Sequence, residues 1–359
     1  MDLLDVELYR ASLERLCAGT DLDFLRGRTV LVTGASGMLG SCLVDALSVW
    51  NREQITPCQI AAVSRNLEAA AKRFAPIWKE DFFSFHAQDV CSELNGLPDA
   101  VDYIIHAASN ADPVRMAKYP ANTFLANVQG TKNLLDYGIA HGIERFLFVS
   151  SGEVYGQPNV DLDDFTEDYC GPLDLFSARS CYPEGKRAAE VLCQGYISQY
   201  GVDAVIVRPC HLFGPTMTDQ DSRAVSEFLR KAAVGEDIQL KSAGMLERSH
   251  CYVLDAVKAI LLILKAGLCG QAYNIAGRQY QMTVQQFAEK VGAAGQCRVA
   301  YTQPSELETT GYSKAKRMVL DASRLEAMGW NPGTEKAIEE TVSVLRELWG
   351  VGKYGRYYN

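Results

Sequence analysis

The sequence predicts an α/β fold, a doubly wound parallel sheet with a smaller C-terminal α/β lobe. Three observations predict it. Short β-branched apolar runs alternate with stretches of helical periodicity through the first part of the chain, as strands and crossover helices do when both faces of a sheet are covered. A glycine-rich turn directly follows the first of those runs and opens a helix. After about Pro209 the elements become shorter and the loops more frequent, as in a lobe that closes over the carboxyl edge of a sheet, where open α/β folds bind ligands.

The elements follow in order. Residues 5–18 have the apolar spacing of an amphipathic helix that packs on the domain or on a partner subunit. Thr29–Val32 reads as a buried strand, Gly34–Gly40 as a turn and Cys42–Trp50 as the helix after it. A second strand is predicted at Ile60–Val63, with helical spacing from Arg65 to Phe74. Strands at Asp102–His106 and Arg145–Ser150 flank a helix over Thr123–Gly138. A long helix fits Cys181–Tyr200, followed by a strand at Ala204–Val207.

Composition excludes several function classes. The chain has 359 residues, is 48% hydrophobic and carries a net charge of −9. That core is sizeable, and an acidic surface offers little to nucleic acid or to an anionic membrane. The eleven cysteines are scattered with no CxxC pair, which argues against a disulfide framework and against a metal site. The N-terminus has charges where a secretory signal has an apolar run. The apolar stretch Ala259–Ala266 is too short to span a bilayer. A soluble cytoplasmic protein is expected.

Three motifs carry chemistry. In Thr33-Gly34-Ala35-Ser36-Gly37-Met38-Leu39-Gly40 the glycines let the backbone of residues 34–40 approach a pyrophosphate at a helix N-terminus. The placement after strand one makes this a Rossmann-type dinucleotide turn rather than a packing turn. Tyr182 and Lys186, four apart on one helix face, form the second. A free phenol titrates near ~10, and a neighbouring ammonium with an oxidised nicotinamide would favour the phenolate; lowering it by about 3 units asks roughly 4 kcal/mol of them. Ser151 completes the set by hydrogen-bonding a substrate oxygen. Glu153, two residues on, is the third feature, a carboxylate able to handle a proton made acidic by a neighbouring ketone.

Taken in order and separation, these segments resemble the extended short-chain dehydrogenase/reductases, the NAD-dependent epimerase/dehydratase family. Asp89-Val90 is similar to the pair beside the adenine, His106-Ala107-Ala108-Ser109 to the segment beneath the cofactor, and Asn127–Leu135 to the supporting helix. Arg179–Glu190 is similar to the RxCYxEGKRxAE segment of UDP-glucuronate decarboxylases. Asp221–Phe228 and Arg248–Val257 resemble two further segments of that branch, as do Asn274–Ala276 and the Leu325, Gly329, Trp330, Pro332 turn. The resemblance spans roughly residues 28–345 and omits the N-terminal helix and the tyrosine-rich end.

That resemblance implies an organisation: 1–27 an N-terminal helical extension, 28–208 a dinucleotide-binding domain, and 209–359 mainly a substrate-binding domain, with interleaved segments. It implies Tyr182, Lys186, Ser151 and Glu153 as catalytic residues. Gly34, Ser36, Gly37, Met38, Leu39, Gly40, Arg65, Asp89, Val90, Ala107, Ala108, Ser109, Asn127, Ser150, Pro209 and His211, with Tyr182 and Lys186, would hold the cofactor, NAD or alternatively NADP. Asn110, Glu153, Arg223 and Arg248 would hold a nucleotide sugar, the arginines through its diphosphate or carboxylate. The implied reaction is decarboxylation of UDP-glucuronate through a C4 ketone, with 4,6-dehydration or epimerisation as the alternatives. A homodimer through the helices near 123–138 and 181–200 is also implied. A non-enzymatic dinucleotide-binding regulator is disfavoured by the retained tyrosine and lysine. The sequence departs from the branch at three places: His211 stands for an asparagine, Gly152 for a serine, and Ser64-Arg65-Asn66 for a segment with an aspartate.

Overall fold

In the computed structural model, which describes residues 2–156, 164–240, 242–301 and 317–349, strand and helix alternate to build one large sheet. The chain enters through α1 (Glu7–Ala18), then runs β1 (Thr29–Thr33), α2 (Met38–Asn51), β2 (Gln59–Ser64), α3 (Leu67–Arg73), β3 (Phe83–Ala87) and β4 (Tyr103–His106). It continues with α4 (Pro113–Lys118), α5 (Pro120–Ala140), β5 (Arg145–Val149), α6 (Cys181–Tyr200) and β6 (Ala204–Pro209). Next come β7 (His211–Phe213), α7 (Ala224–Val234), β8 (Ile238–Leu240) and β9 (Glu247–Tyr252), whose strands pair outside the large sheet. Helix α8 (Val253–Ala266) and β10 (Ala272–Ile275) then return to the large sheet. The chain closes with β11 (Gly277–Thr283), α9 (Val284–Gly295), β12 (Val299–Tyr301), β13 (Arg317–Met318), α10 (Ser323–Glu326) and α11 (Ala337–Trp349).

The large sheet has seven parallel strands in the order β10-β6-β5-β4-β1-β2-β3. The order reverses direction between β1 and β4, which opens a crevice beyond their carboxyl ends. Strands β1, β4 and β5 are buried along almost their whole length, the consequence of helices on both faces. Helix α2 is buried from Leu39 to Asn51 because α1 and α8 both pack on it, and its sequence is accordingly apolar nearly all round. Its one buried acid, Asp45, pairs with Arg73 of α3 and accepts a hydrogen bond from Tyr9 of α1 at 2.8 Å. The N-terminal helix is thereby tied to the sheet.

Predicted and observed elements differ where side chains override spacing. The helix expected from Arg65 begins only at Leu67, because the side chain of Asn66 caps it by accepting from the Ala69 amide at 3.0 Å. Strand β3 has no counterpart in the sequence reading. Its FSFHA run is an edge strand of mixed burial, and its polar positions hide the apolar signal.

A buried polar network joins the segment after β5 to α6, β6 and β10. Arg208 donates to Glu190 at 2.9 and 2.6 Å, to the Tyr155 hydroxyl at 3.0 Å and to the Glu167 carbonyl at 2.7 Å. Tyr155 in turn donates to Asn274 Oδ1 at 2.6 Å. Removing one member of such a network leaves an uncompensated buried charge. Arg208→Met is therefore expected to lower the unfolding free energy by about 3 kcal/mol, read from urea denaturation; a loss within error of zero would show the network to be solvated.

Candidate active site

The carboxyl edge of the large sheet gathers the chemistry. β1 ends at Thr33, and the turn into α2 opens with Gly34 in the left-handed region, φ 67°. Only glycine fits there: a Cβ would lie 2.7 Å from the carbonyl group of Ala107 and 2.8 Å from the Cα of Ala108. A Cβ on Gly40 would run into the Gly34 carbonyl. Gly37 caps α2, a 14-residue helix, so its first-turn amides open into the cleft beside Met38 and Leu39. Ser36 Oγ is buried there with no partner. A turn without room for side chains, free helix amides and an unsatisfied hydroxyl together fit a pyrophosphate.

The floor of the cleft is fixed by β4 and α5. Thr33 Oγ1 and His106 Nδ1 are 2.7 Å apart, and the Ala108 amide donates to the same oxygen at 3.3 Å. Burial, and then the charge of Lys186, push His106 down to about 3, so it stays neutral. Ser109 donates to Asn127 Oδ1 at 2.9 Å, and Asn127 is fully buried. Val90 is buried, while Asp89 is exposed and accepts from the Cys91 amide at 2.9 Å. Asn110, a residue expected at the substrate, has its side-chain oxygen 3.4 Å from Arg65 Nη2.

Helix α6 brings the reactive pair. Lys186 is only 2% exposed and donates to the Val149 carbonyl, the last of β5, at 2.7 Å. Its Nζ lies 4.8 Å from the ring centre of Phe148 and 5.8 Å from that of Tyr182. Burial draws its pKa down to about 7 against the pull of Glu190, one turn along. Tyr182 is 6% exposed. The sequence reading has its phenol drawn down; in the protein alone the sign is the opposite. Burial, then Glu153, push it up to about 12, while a hydrogen bond with Ser151 and the charges of Arg223 and Arg179 oppose them.

Around this pair the loop after β5 is ordered by its own hydrogen bonds. Ser151 Oγ accepts from the Glu153 amide at 3.2 Å and caps the short turn Gly152–Tyr155. Ser150 faces inward and donates to Glu190 at 2.5 Å. Arg179 holds both Glu153 oxygens, at 3.0 and 2.8 Å. Sequence reasoning gave Arg179 no task, although its place three residues before Tyr182 in a recognised segment was a signal. A Cβ on Gly152 would lie 2.9 Å from Leu320 Cδ1, so apolar packing occupies that corner.

The smaller lobe supplies cations. Arg223 is held by Asp221 at 2.9 and 2.6 Å, and Thr216 of the same loop donates to the Met38 carbonyl at 2.8 Å. The loop is thus fastened over the start of α2. Pro209 ends β6, and His211 follows on β7. Burial, then Arg248, His250 and Arg223, hold His211 well below its ordinary range. Neutral, its Nε2 accepts from Arg248 Nη1 at 3.1 Å. Arg248 Nε is buried and without a partner, and no carboxylate of the described residues lies within ion-pair distance. Burial lowers its pKa and Glu153 opposes that. The fold therefore brings Tyr182, Ser151, Glu153, His211, Arg223 and Arg248 within electrostatic reach of one another. An unpaired, desolvated guanidinium suits an anionic ligand.

Comparison with known proteins agrees with this geometry. Residues 30–276 match the model of the NAD dependent epimerase/dehydratase family. The chain is 32% identical over 311 residues to UDP-glucuronic acid decarboxylase 6 of Arabidopsis thaliana, covering 86% of this chain and 85% of that one. It superimposes on a dTDP-glucose 4,6-dehydratase from Streptomyces venezuelae with NAD and TYD bound, with a TM-score of 0.73, 24% identity and coverage of 89% and 97%. A UDP-glucuronic acid 4-epimerase from Bacillus cereus in complex with UDP-glucuronic acid and NAD gives a TM-score of 0.73 at 18% identity, with coverage of 89% and 100%.

The buried amine sets a stability test. Lys186 titrates at about 7 when folded against an ordinary 10.5, so between those values the unfolded chain binds more protons and stability rises with pH. Lys186→Met removes that dependence. Its stability advantage over the parent is expected to shrink by on the order of 3 kcal/mol as pH rises from about 7 to about 10, measured by urea denaturation. A pH-independent difference would contradict the burial.

Proposed function

The chain belongs to the NAD dependent epimerase/dehydratase family, and from that premise we propose that it decarboxylates a nucleotide-linked hexuronate, UDP-glucuronate foremost, by transient oxidation at C4. The observation that carries this reading is the convergence of Tyr182, Lys186, Ser151 and Glu153 beside an arginine, Arg248, that has no acidic partner within ion-pair distance among the described residues.

Residues 34–40 would hold the pyrophosphate of NAD, Asp89 and Val90 its adenine, and Ala107–Ser109, Asn127 and Lys186 the remainder. The dinucleotide supplies reversible acceptance of a hydride. Tyr182 takes the proton of the C4 hydroxyl, and Ser151 holds that oxygen by a hydrogen bond shared with the phenol. The phenol's high starting value means that positive charge must accumulate beside it before it can act as a base. With C4 a ketone, the C5 carboxylate is that of a β-keto acid and leaves as carbon dioxide. No acid is needed for a departing hydroxyl, in keeping with Gly152 against Leu320. Glu153, oriented by Arg179, delivers the proton to C5 directly or through water. Arg248 and Arg223 bind the diphosphate or the sugar carboxylate. His211, neutral and accepting from Arg248, keeps that guanidinium oriented.

The same reading includes work in the cytoplasm as a homodimer. No helix of the described residues is long and apolar enough to cross a membrane. Phe124 and Leu125 of α5 are exposed and line a hollow of about 560 Å³, and Val191 of α6 is exposed as well, apolar surface that a second copy would cover.

Purified protein supplied with UDP-glucuronate is expected to release carbon dioxide and form the corresponding UDP-pentose, followed by mass spectrometry. Tyr182→Phe should lower kcat by roughly a thousandfold. A 4-keto-6-deoxy product from a UDP- or dTDP-hexose, with no carbon dioxide from the uronate, would replace decarboxylation by dehydration. For the assembly, the double change Leu125→Asp with Val191→Asp should halve the mass measured by light scattering; an unchanged mass would place the interface elsewhere.

A further inference from the structure

The loop between β7 and α7 crosses the crevice, and its bonds run to both lips. The crevice lies between β1 and β4, where the order of the large sheet reverses, so the starts of α2 and α4 flank it. On the α2 side Thr216 donates to the Met38 carbonyl at 2.8 Å, and Arg223 Nη2 lies 3.8 Å from Met38 Sδ. On the α4 side the Ser222 amide and hydroxyl both donate to Asp112 Oδ2, at 3.0 and 2.6 Å, and Arg115 donates to Gln220 Oε1. Residues 216–223 therefore form a strap across the crevice, tied down on each side.

The ends of the strap and its middle differ. Thr216 and Met217 at one end and Val225 beyond the other are at most 7% exposed, while residues 218–220 and Ser222 are exposed. The ends are anchored in the core. The contacts with Asp112 and Arg115 face water, where breaking a hydrogen bond costs little because solvent replaces it. Asp112 keeps its other oxygen on the Arg115 amide at 3.0 Å, capping α4, so the acceptor stays in place when the strap lifts. These bonds join protein groups to one another, and none uses an amide of the glycine turn. The latch needs no ligand to form.

We propose that residues 216–223 are a gate, latched by Asp112–Ser222 and Arg115–Gln220, which must lift for a dinucleotide to enter or to leave. Loops anchored at both ends open over microseconds to milliseconds, slowly enough to limit exchange. The gate controls the traffic of the cofactor and not the chemistry described above, and it presupposes only that the glycine turn holds a nicotinamide dinucleotide. A gate shut with and without ligand has a kinetic signature. Weakening its latch speeds entry and release together and leaves the affinity where it was, whereas loss of a contact to the ligand speeds release alone.

Stopped-flow fluorescence of NADH, or of NADPH if that binds more tightly, follows both steps in the full-length protein: binding on mixing, and release on displacement by the oxidised form in excess. The double change Ser222→Ala with Gln220→Ala removes two side-chain contacts and leaves Asp112 and the buried ends intact. It is expected to raise the association and release rates each by about tenfold, with a Kd within about twofold of the parent's. Asp112→Asn, which keeps the α4 cap and weakens the acceptor, should move both rates in the same direction by a smaller factor. Thermal unfolding reports whether each variant is folded. Unchanged rates overturn the gate, and so does faster release with unchanged association, which would make the strap a contact to the ligand. Failure of the parent to bind either reduced dinucleotide overturns the dinucleotide site and the gate with it.

Discussion

An amine with almost no exposure, Lys186 Nζ, is hydrogen-bonded to the last carbonyl of β5, and the geometry of the cleft depends on that bond. It fixes the rotation and height of α6 against the sheet, which in turn sets Tyr182 one turn earlier and points its ring at the crevice. The chain leaving β5 passes Ser150, whose hydroxyl is held by Glu190 from the same helix, and reaches Ser151 against the phenol. Burying an amine opposes folding unless its surroundings compensate. Here the surroundings are one carbonyl, two aromatic faces and the Glu190–Arg208 network behind them.

The electrostatics of the pocket point one way. Tyr182 is pushed up, Lys186 and His211 are pushed down, and Arg248 has no carboxylate of the described residues within ion-pair distance. Burial dominates each of these shifts, as expected for groups withdrawn from water without partners of opposite charge. Such a pocket is completed by ligands that bring charge of their own: anionic groups facing the arginines, and a cationic ring facing the phenol. Glu153 is the exception, already neutralised by Arg179 and so available to orient water or a proton without adding net charge.

The fold was legible because its signals are local. The β-branched run at β1, the glycines at 34, 37 and 40, and the Tyr182–Lys186 spacing each act over a few residues. Strand β3 was not legible, since mixed burial removes the apolar pattern. The return of β10 to the large sheet showed in the sequence only through the Asn274–Ala276 resemblance, because pairing with β6 is a matter of long-range topology. The sequence offers candidate site residues but not their arrangement. Nothing in the sequence shows that Arg248 binds His211, that Arg179 clamps Glu153, or that Leu320 closes the corner at Gly152. The upward push of burial on Tyr182 in the protein alone is a property of the packed state and leaves no mark in the sequence.

The central claim is that Tyr182 governs oxidation and re-reduction at one carbon while Glu153 governs proton delivery at the next. UDP-glucuronate carrying deuterium at C4 turned over in ordinary water, and unlabelled UDP-glucuronate turned over in deuterium oxide, both followed by NMR, test it directly. The account predicts a product that retains deuterium at C4 in the first and gains solvent deuterium at C5 in the second. Loss of the C4 label to water, or turnover with no solvent hydrogen at C5, would contradict it.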